Sequence, residues 1–172
     1  MVNSISLEKE RYEPLLPLLS GTDLKVIALC MSDEGMPETM DDRMRIADKL
    51  VNMSMQHNVA IGNIYVDPLV QPIATNQSVG IHFLDVIERI VNTFEGVHTI
   101  CGLSNISYGL PNRRFLNQLF MVMAIAKGLD AAIVDPLDKR MMANIIAAEA
   151  LVGRDGYCMN YLKEHRAKRF EL

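Results

Sequence analysis

Side chains that can give and take hydrogen bonds without carrying charge gather in one stretch of this chain. It runs Gly102-Leu103-Ser104-Asn105-Ile106-Ser107-Tyr108-Gly109-Leu110-Pro111-Asn112-Arg113-Arg114. It follows an apolar, strand-like run, Val97 to Cys101, and leads into an amphipathic helical pattern. A ligand-binding loop between a strand and a helix has this form, and amide and hydroxyl groups suit a neutral heterocycle. One unit earlier, Asn63-Ile64-Tyr65-Val66-Asp67-Pro68-Leu69 repeats the logic with a carboxylate where the strand stops. That carboxylate can accept two parallel hydrogen bonds from an amidine-like N–H edge of pterin or purine type. It can equally cap a turn ahead of Pro68, and local sequence leaves both readings open.

The same logic picks out further polar groups where strands stop. Asn3 and Ser4 are placed near the end of the first strand, Ser32 and Asp33 after the second, and Asp135 after the fifth. Asp135-Pro136 reads more as a turn into a helix capped near Asp138. Arg113 and Arg114 open a helix, where the dipole disfavours a cation, so they contact an anionic tail or a backbone carbonyl, or form a solvated pair. His57, His82, His98 and His165 have no metal-ligand spacing and no nucleophile beside them, and no metal site is expected. The basic run from Lys163 to Arg169 reads as a solvated helix end.

The elements that must carry these groups follow from hydrophobic periodicity. Short apolar runs mark strands at Val2 to Ile5, Lys25 to Met31, Asn63 to Val66, Val97 to Leu103 and Ala131 to Val134. Between them, apolar residues recur at helical spacing: Met40, Met44, Ala47, Val51 and Met55; Ile81, Leu84, Ile87, Val91 and Phe94; Leu116, Leu119, Phe120 and Met123; Leu137, Met141, Ile145, Ala148 and Val152. Pro14 and Pro17 are expected to limit any helix after the first strand to short pieces. Gly128 stands where a helix should stop before the last strand. The β-α alternation repeats about five times at roughly 30 residues per unit, which means a parallel sheet with right-handed crossovers. Periodicity does not choose between a doubly wound sheet and part of an eight-stranded barrel, which needs about 250 residues.

With 172 residues, 49% of them hydrophobic, the chain can bury a core and is expected to form one domain over 1–172. A net charge of -4 argues against nucleic acid or an anionic membrane as the main partner. No apolar run approaches the roughly 20 residues of a membrane span. Cys30, Cys101 and Cys158 are far apart, odd in number and outside any metal spacing, as reduced thiols of a cytoplasmic protein would be.

Four motifs in order then carry a resemblance: Val2-Asn3-Ser4; Ile64-Tyr65-Val66-Asp67-Pro68-Leu69; Gly102-Leu103-Ser104-Asn105 with Asn112-Arg113; and Gly128-Leu129-Asp130-Ala131-Ala132-Ile133. From Val2 to about Tyr157-Cys158 the chain resembles the methyltetrahydrofolate:corrinoid methyltransferases. These are pterin-binding barrels that also include dihydropteroate synthase and the folate module of cobalamin-dependent methionine synthase. The resemblance implies a partial (β/α)8 TIM barrel of about five βα units with parallel strands, in which the first three units of the family barrel have no counterpart. It implies that Asn3 and Asp67 hold the pterin by its polar edge and that Asn105, beside N5, is the catalytic residue. Arg113 supports that loop, and Ser104 and Ser107 stand next to it. The implied reaction moves a methyl group between N5 of methyltetrahydrofolate and the cobalt of a corrinoid, cobalamin or a relative, on a partner protein. The late Ser-Arg-Lys loop and Arg-x-His-Asp strand of dihydropteroate synthase are absent, which disfavours that enzyme. Strand edges and an apolar interior left open imply association with a second copy or with a complementing N-terminal barrel half. The alternative to an enzyme is a non-catalytic or split barrel fragment that works only with such a chain.

Overall fold

A computed structural model of the chain describes residues 1–170; the expected domain limit at Leu172 lies outside the described residues. Five parallel strands form one sheet: β1 (Val2–Leu7), β2 (Val26–Ser32), β3 (Ile64–Asp67), β4 (His98–Cys101) and β5 (Ala131–Ala132). Between and after them run α1 (Lys9–Leu19), α2 (Met40–Gln56), α3 (Val79–Thr93), α4 (Arg113–Ala126), α5 (Lys139–Leu151) and α6 (Met159–Arg166).

Strand order in space equals order in sequence. A doubly wound sheet reverses direction at a switch point, with helices on both faces; here every crossover goes to the next strand. Helices α1 to α5 lie on one side. Val26, Ala28 and Cys30 of β2 and Ile64 and Val66 of β3 pack with Ile46, Leu50, Val86 and Ile90 of the helices. The alternate residues Ile27, Tyr65 and Ile100, with Ala131 against them, form a separate cluster that contains no helical residue. A one-sided helical layer over a sequentially ordered parallel sheet is an arc of a βα barrel. That decides between the two folds the periodicity left open.

Register fixes which residues share the inner face. Asn3 lies opposite Ile27, Ile27 opposite Tyr65, and Tyr65 opposite His98. One row nearer the carboxyl ends, Leu29 lies opposite Asp67, and Ile100 opposite Ala131. In the lower row Lys25 Nζ donates to the Tyr65 hydroxyl at 3.1 Å, the Tyr65 and His98 rings stack at 4.7 Å, and His98 Nδ1 stands 3.5 Å from Asp130.

Two local expectations change. Asn3 is not near the end of β1, which continues to Leu7 through register shifts between Asn3 and Ile5 and between Ile5 and Leu7. Ser4 and Ser6 are buried within the strand, and Ser6 lies beyond the apolar run. Pro14 and Pro17 do not break α1, which is continuous over Lys9–Leu19. Leu16 and Leu19 face the core, whereas both prolines are exposed beside the exposed Glu10 and Glu13, so the carbonyls that lose a helical donor meet water. Gly128 does end a helical segment, at φ +108°. A Cβ there would stand 2.9 Å from Val91 Cγ2, so the position excludes a side chain on two counts. Among the described residues no helix is long and apolar enough to cross a membrane.

Candidate functional site

Asp67 ends β3 and is 8% exposed. Oδ1 accepts the Leu69 N–H at 2.9 Å, so the carboxylate does cap a turn, yet that bond occupies one lone pair of the group. Burial pushes its pKa up to about 6, with the N–H groups of Leu69 and Gly102 pulling the other way. The turn is strained, since Leu69 sits at φ +66°. The buried Arg43 of α2, 3% exposed, secures it from behind by donating through Nε to the Pro68 carbonyl at 3.0 Å and through Nη1 to the Thr39 carbonyl at 3.2 Å.

The Gly102 N–H that reaches Asp67 opens the 3-10 turn Leu103–Ser107, which carries the next groups. A Cβ on Gly102 would stand 3.5 Å from Asn105 Nδ2, so the amide folds back over this glycine. Asp67 and Asn105, 38 residues apart in sequence, thus converge on one backbone position. Asn105 is exposed, and its amide makes no hydrogen bond among the described residues. Arg113, the first residue of α4, donates from Nε to Ser107 Oγ at 3.1 Å and from Nη2 to the Ser104 carbonyl at 2.7 Å. Its guanidinium also lies 5.8 Å from the centre of the Tyr108 ring. Of the roles the sequence left open for Arg113, the geometry supplies the backbone-carbonyl contact: it staples the turn that presents Asn105. The exposed Ser104 offers its carbonyl to that staple.

Asn3 shares the inner face with Asp67 but stands one row lower, on β1 rather than at the carboxyl edge. Two strand spacings, roughly 10 Å, separate them laterally, so a flat bicyclic ligand can lie across β2 with each at one rim. Asp135 and Asp138 behave as caps, accepting the N–H of Leu137 at 2.9 Å and of Met141 at 3.0 Å.

Sequence reading missed Arg43, although Met40, Met44 and Ala47 put it on the apolar stripe of α2, where a charge needs a reason. It also missed Thr99 and Asp130. Asp130 Oδ2 accepts the Thr99 N–H at 2.9 Å, and Thr99 Oγ1 accepts the Asp130 N–H at 3.1 Å, which couples β4 to the start of β5. Cys30 and Cys101 flank the site as neutral thiols, their pKa values driven up first by burial and then by the charge of Asp67.

A sequential βα arc with polar groups gathered at the carboxyl ends of its strands is part of a βα barrel, the class of fold that carries its sites at that edge. The chain belongs to the pterin binding enzyme family, whose sequence model matches residues 1–135. It is 34% identical over 168 residues to the methylcorrinoid:tetrahydrofolate methyltransferase of Eubacterium limosum, covering 96% of this chain and 62% of that protein. It is 32% identical over 146 residues to the methionine synthase of Mycobacterium leprae (strain TN), covering 78% of this chain and 12% of that one. The methionine synthase of Mycobacterium tuberculosis is likewise 32% identical, over 145 residues. The chain therefore spans less than two thirds of the length of these relatives.

Proposed function

We propose that this chain is the folate-binding part of a methyltransferase acting between N5 of methyltetrahydrofolate and the cobalt of a corrinoid carried by a partner protein. The observation that supports it best is the convergence of a buried, incompletely satisfied carboxylate and an unengaged amide on Gly102. In this reading Asp67 accepts two N–H bonds from the pyrimidine edge of the pterin. Asn3 holds the opposite rim of the ring. Asn105 hydrogen-bonds N5 and stabilises the charge that develops there as the methyl bond breaks or forms. An amide has no proton to give at a suitable pKa, so its contribution is electrostatic rather than acid catalysis. Arg113 and Ser107 keep Asn105 in place, and Ser104 lies against the ligand at the same turn. The exposure of Asn105 fits a corrinoid partner, because an atom held there is reachable from outside. That corrinoid supplies the metal that takes or gives the methyl group, and this chain orients the folate.

A specific observation favours a second reading. β1 and β5 each pair on one side only, and β5 pairs over just two residues. A single domain with two open edges is a natural partner for a complementing barrel half or a second copy. Such a chain would bind without turning over until its complement arrives. Titration calorimetry with methyltetrahydrofolate on the wild type, Asp67→Ala and Asn105→Ala tests both readings. The methyltransferase reading requires binding that Asp67→Ala abolishes, whereas Asn105→Ala keeps most of the affinity and loses methyl transfer to a corrinoid protein. Absence of binding by the folded wild-type chain would leave the fragment reading.

A further inference from the structure

Arg43 is a charge set among apolar neighbours. It is 3% exposed and shares the inward face of α2 with the buried Ile46, Ala47 and Leu50. A guanidinium taken out of water is costly unless strong bonds satisfy it, and no carboxylate pairs with it among the described residues. Its Nη1 donates to the Thr39 carbonyl at 3.2 Å, which already accepts the helical Arg43 N–H at 3.3 Å. The contact that depends on this side chain is the other one, from Nε to the Pro68 carbonyl at 3.0 Å.

The peptide that joins Pro68 to Leu69 is therefore held at both ends. Its N–H donates to Asp67 Oδ1 at 2.9 Å, and its C=O, which points the opposite way in a trans peptide, receives Arg43. A cation on the carbonyl polarises the amide and strengthens what its N–H gives. Leu69 follows at φ +66°, a conformation that a bulky side chain keeps only when its surroundings impose it. Rotation of this peptide would relieve Leu69 and withdraw the N–H from Asp67 in one motion. The titratable groups that face Asp67 from the neighbouring strands are Cys30 of β2 and Cys101 of β4. Burial keeps both as neutral thiols, so neither offers a countercharge.

Resting on the folate reading above, we infer that Arg43 is the positioning residue of Asp67, acting from the helix layer through the Pro68–Leu69 peptide to aim the carboxylate at the ligand. It lies behind the turn and touches no ligand itself. Without it the Leu69 N–H is free to leave Asp67. The carboxylate then loses one of the two backbone donors, those of Leu69 and Gly102, that favour its ionised form, and it keeps its proton to higher pH. The ionised form accepts both N–H bonds of the pterin edge, so ligand affinity follows the same change.

Carboxyl carbon NMR on aspartate-labelled protein reads Asp67 with no ligand present, its signal assigned by its loss in Asp67→Asn. The wild type should titrate at about 6. Arg43→Met, which keeps the length and apolar stem, and Arg43→Gln should each raise that midpoint by about one pH unit. Arg43→Lys, which keeps a cationic donor, should bring it most of the way back. Leu69→Gly added to Arg43→Met should do so as well, because glycine holds a positive φ without strain. A residue that only fills space would lower stability and leave the midpoint alone. A wild-type midpoint in folded Arg43→Met or Arg43→Gln, or loss of the fold in both, overturns the inference. Methyltetrahydrofolate affinity, read by calorimetry, should fall about fivefold in Arg43→Met at pH 6 and lie near wild type at pH 8. If the wild type binds no folate at any pH while the midpoints move as stated, the folate reading falls and the link from Arg43 to Asp67 stands. If folate binds with one pH dependence in wild type and variant, only the Arg43 inference falls.

Discussion

At the scale of single residues, Asp67 is a structural cap and the ligand group proposed above, and its titration separates the two. The unfolded chain releases this proton near 3.8, whereas the folded chain holds it up to about 6. Between those values the folded state binds more protons, so this residue's contribution is fully present at low pH and is lost as pH rises through about 6. Two pKa units correspond to about 3 kcal/mol. Urea denaturation of the wild type and Asp67→Asn across that range should show the variant gaining on the wild type as pH rises, because its amide oxygen still caps Leu69 without a charge to bury. Parallel curves would refute this. Pterin affinity should move the opposite way and rise with pH, since the ionised carboxylate is the better acceptor of two N–H bonds. Asp67, Ser104 and Asn105 were legible in the sequence because each interrupts an apolar strand at its end. Asn3 was legible by type and misplaced by position, because a bulged strand outruns its own hydrophobic pattern.

At the scale of elements, the loop after β3 depends on α2. Arg43 is buried, and burial lowers the pKa of its guanidinium; two backbone carbonyls hold it, with no carboxylate partner among the described residues. Arg43→Ala should cost about 2–4 kcal/mol, through a cavity and the buried Pro68 carbonyl left without its donor. The loss should show as a lowered urea midpoint and as a weakened ligand site, because the Pro68 carbonyl and the strained Leu69 lose their support. A change within about 0.5 kcal/mol, as for a surface residue, would contradict this role. Sequence reading passed over Arg43 because Asp41-Asp42-Arg43 looks like a solvated first turn, although the spacing of Met40, Met44 and Ala47 sets it on the inward face. The prolines of α1 misled for the complementary reason: their cost depends on which face they occupy, and a face becomes solvent only when the sheet is in place. All five strands, and Gly128 as a helix stop, were legible because they depend on local pattern; their lengths were not, and β5 shrinks to Ala131–Ala132, since pairing needs a neighbour as well as a sequence.

At the scale of the whole molecule, a sheet with two open edges carries backbone donors and acceptors that seek partners. The isolated chain should associate with itself, or with a complementing barrel half when one is supplied. Size-exclusion chromatography with light scattering across a wide concentration range checks this, and a monomer at every concentration would count against it. The sheet also has a property that concerns time rather than shape. Because spatial order repeats sequence order, each strand docks on the strand made just before it, and no later segment must thread between two earlier ones. Ribosomal synthesis can therefore lay the sheet down strand by strand, with every new helix closing over surface already formed. A chain built in this way assembles by accretion, and its most exposed moment comes at the growing edge, where the strand just made still waits for its neighbour.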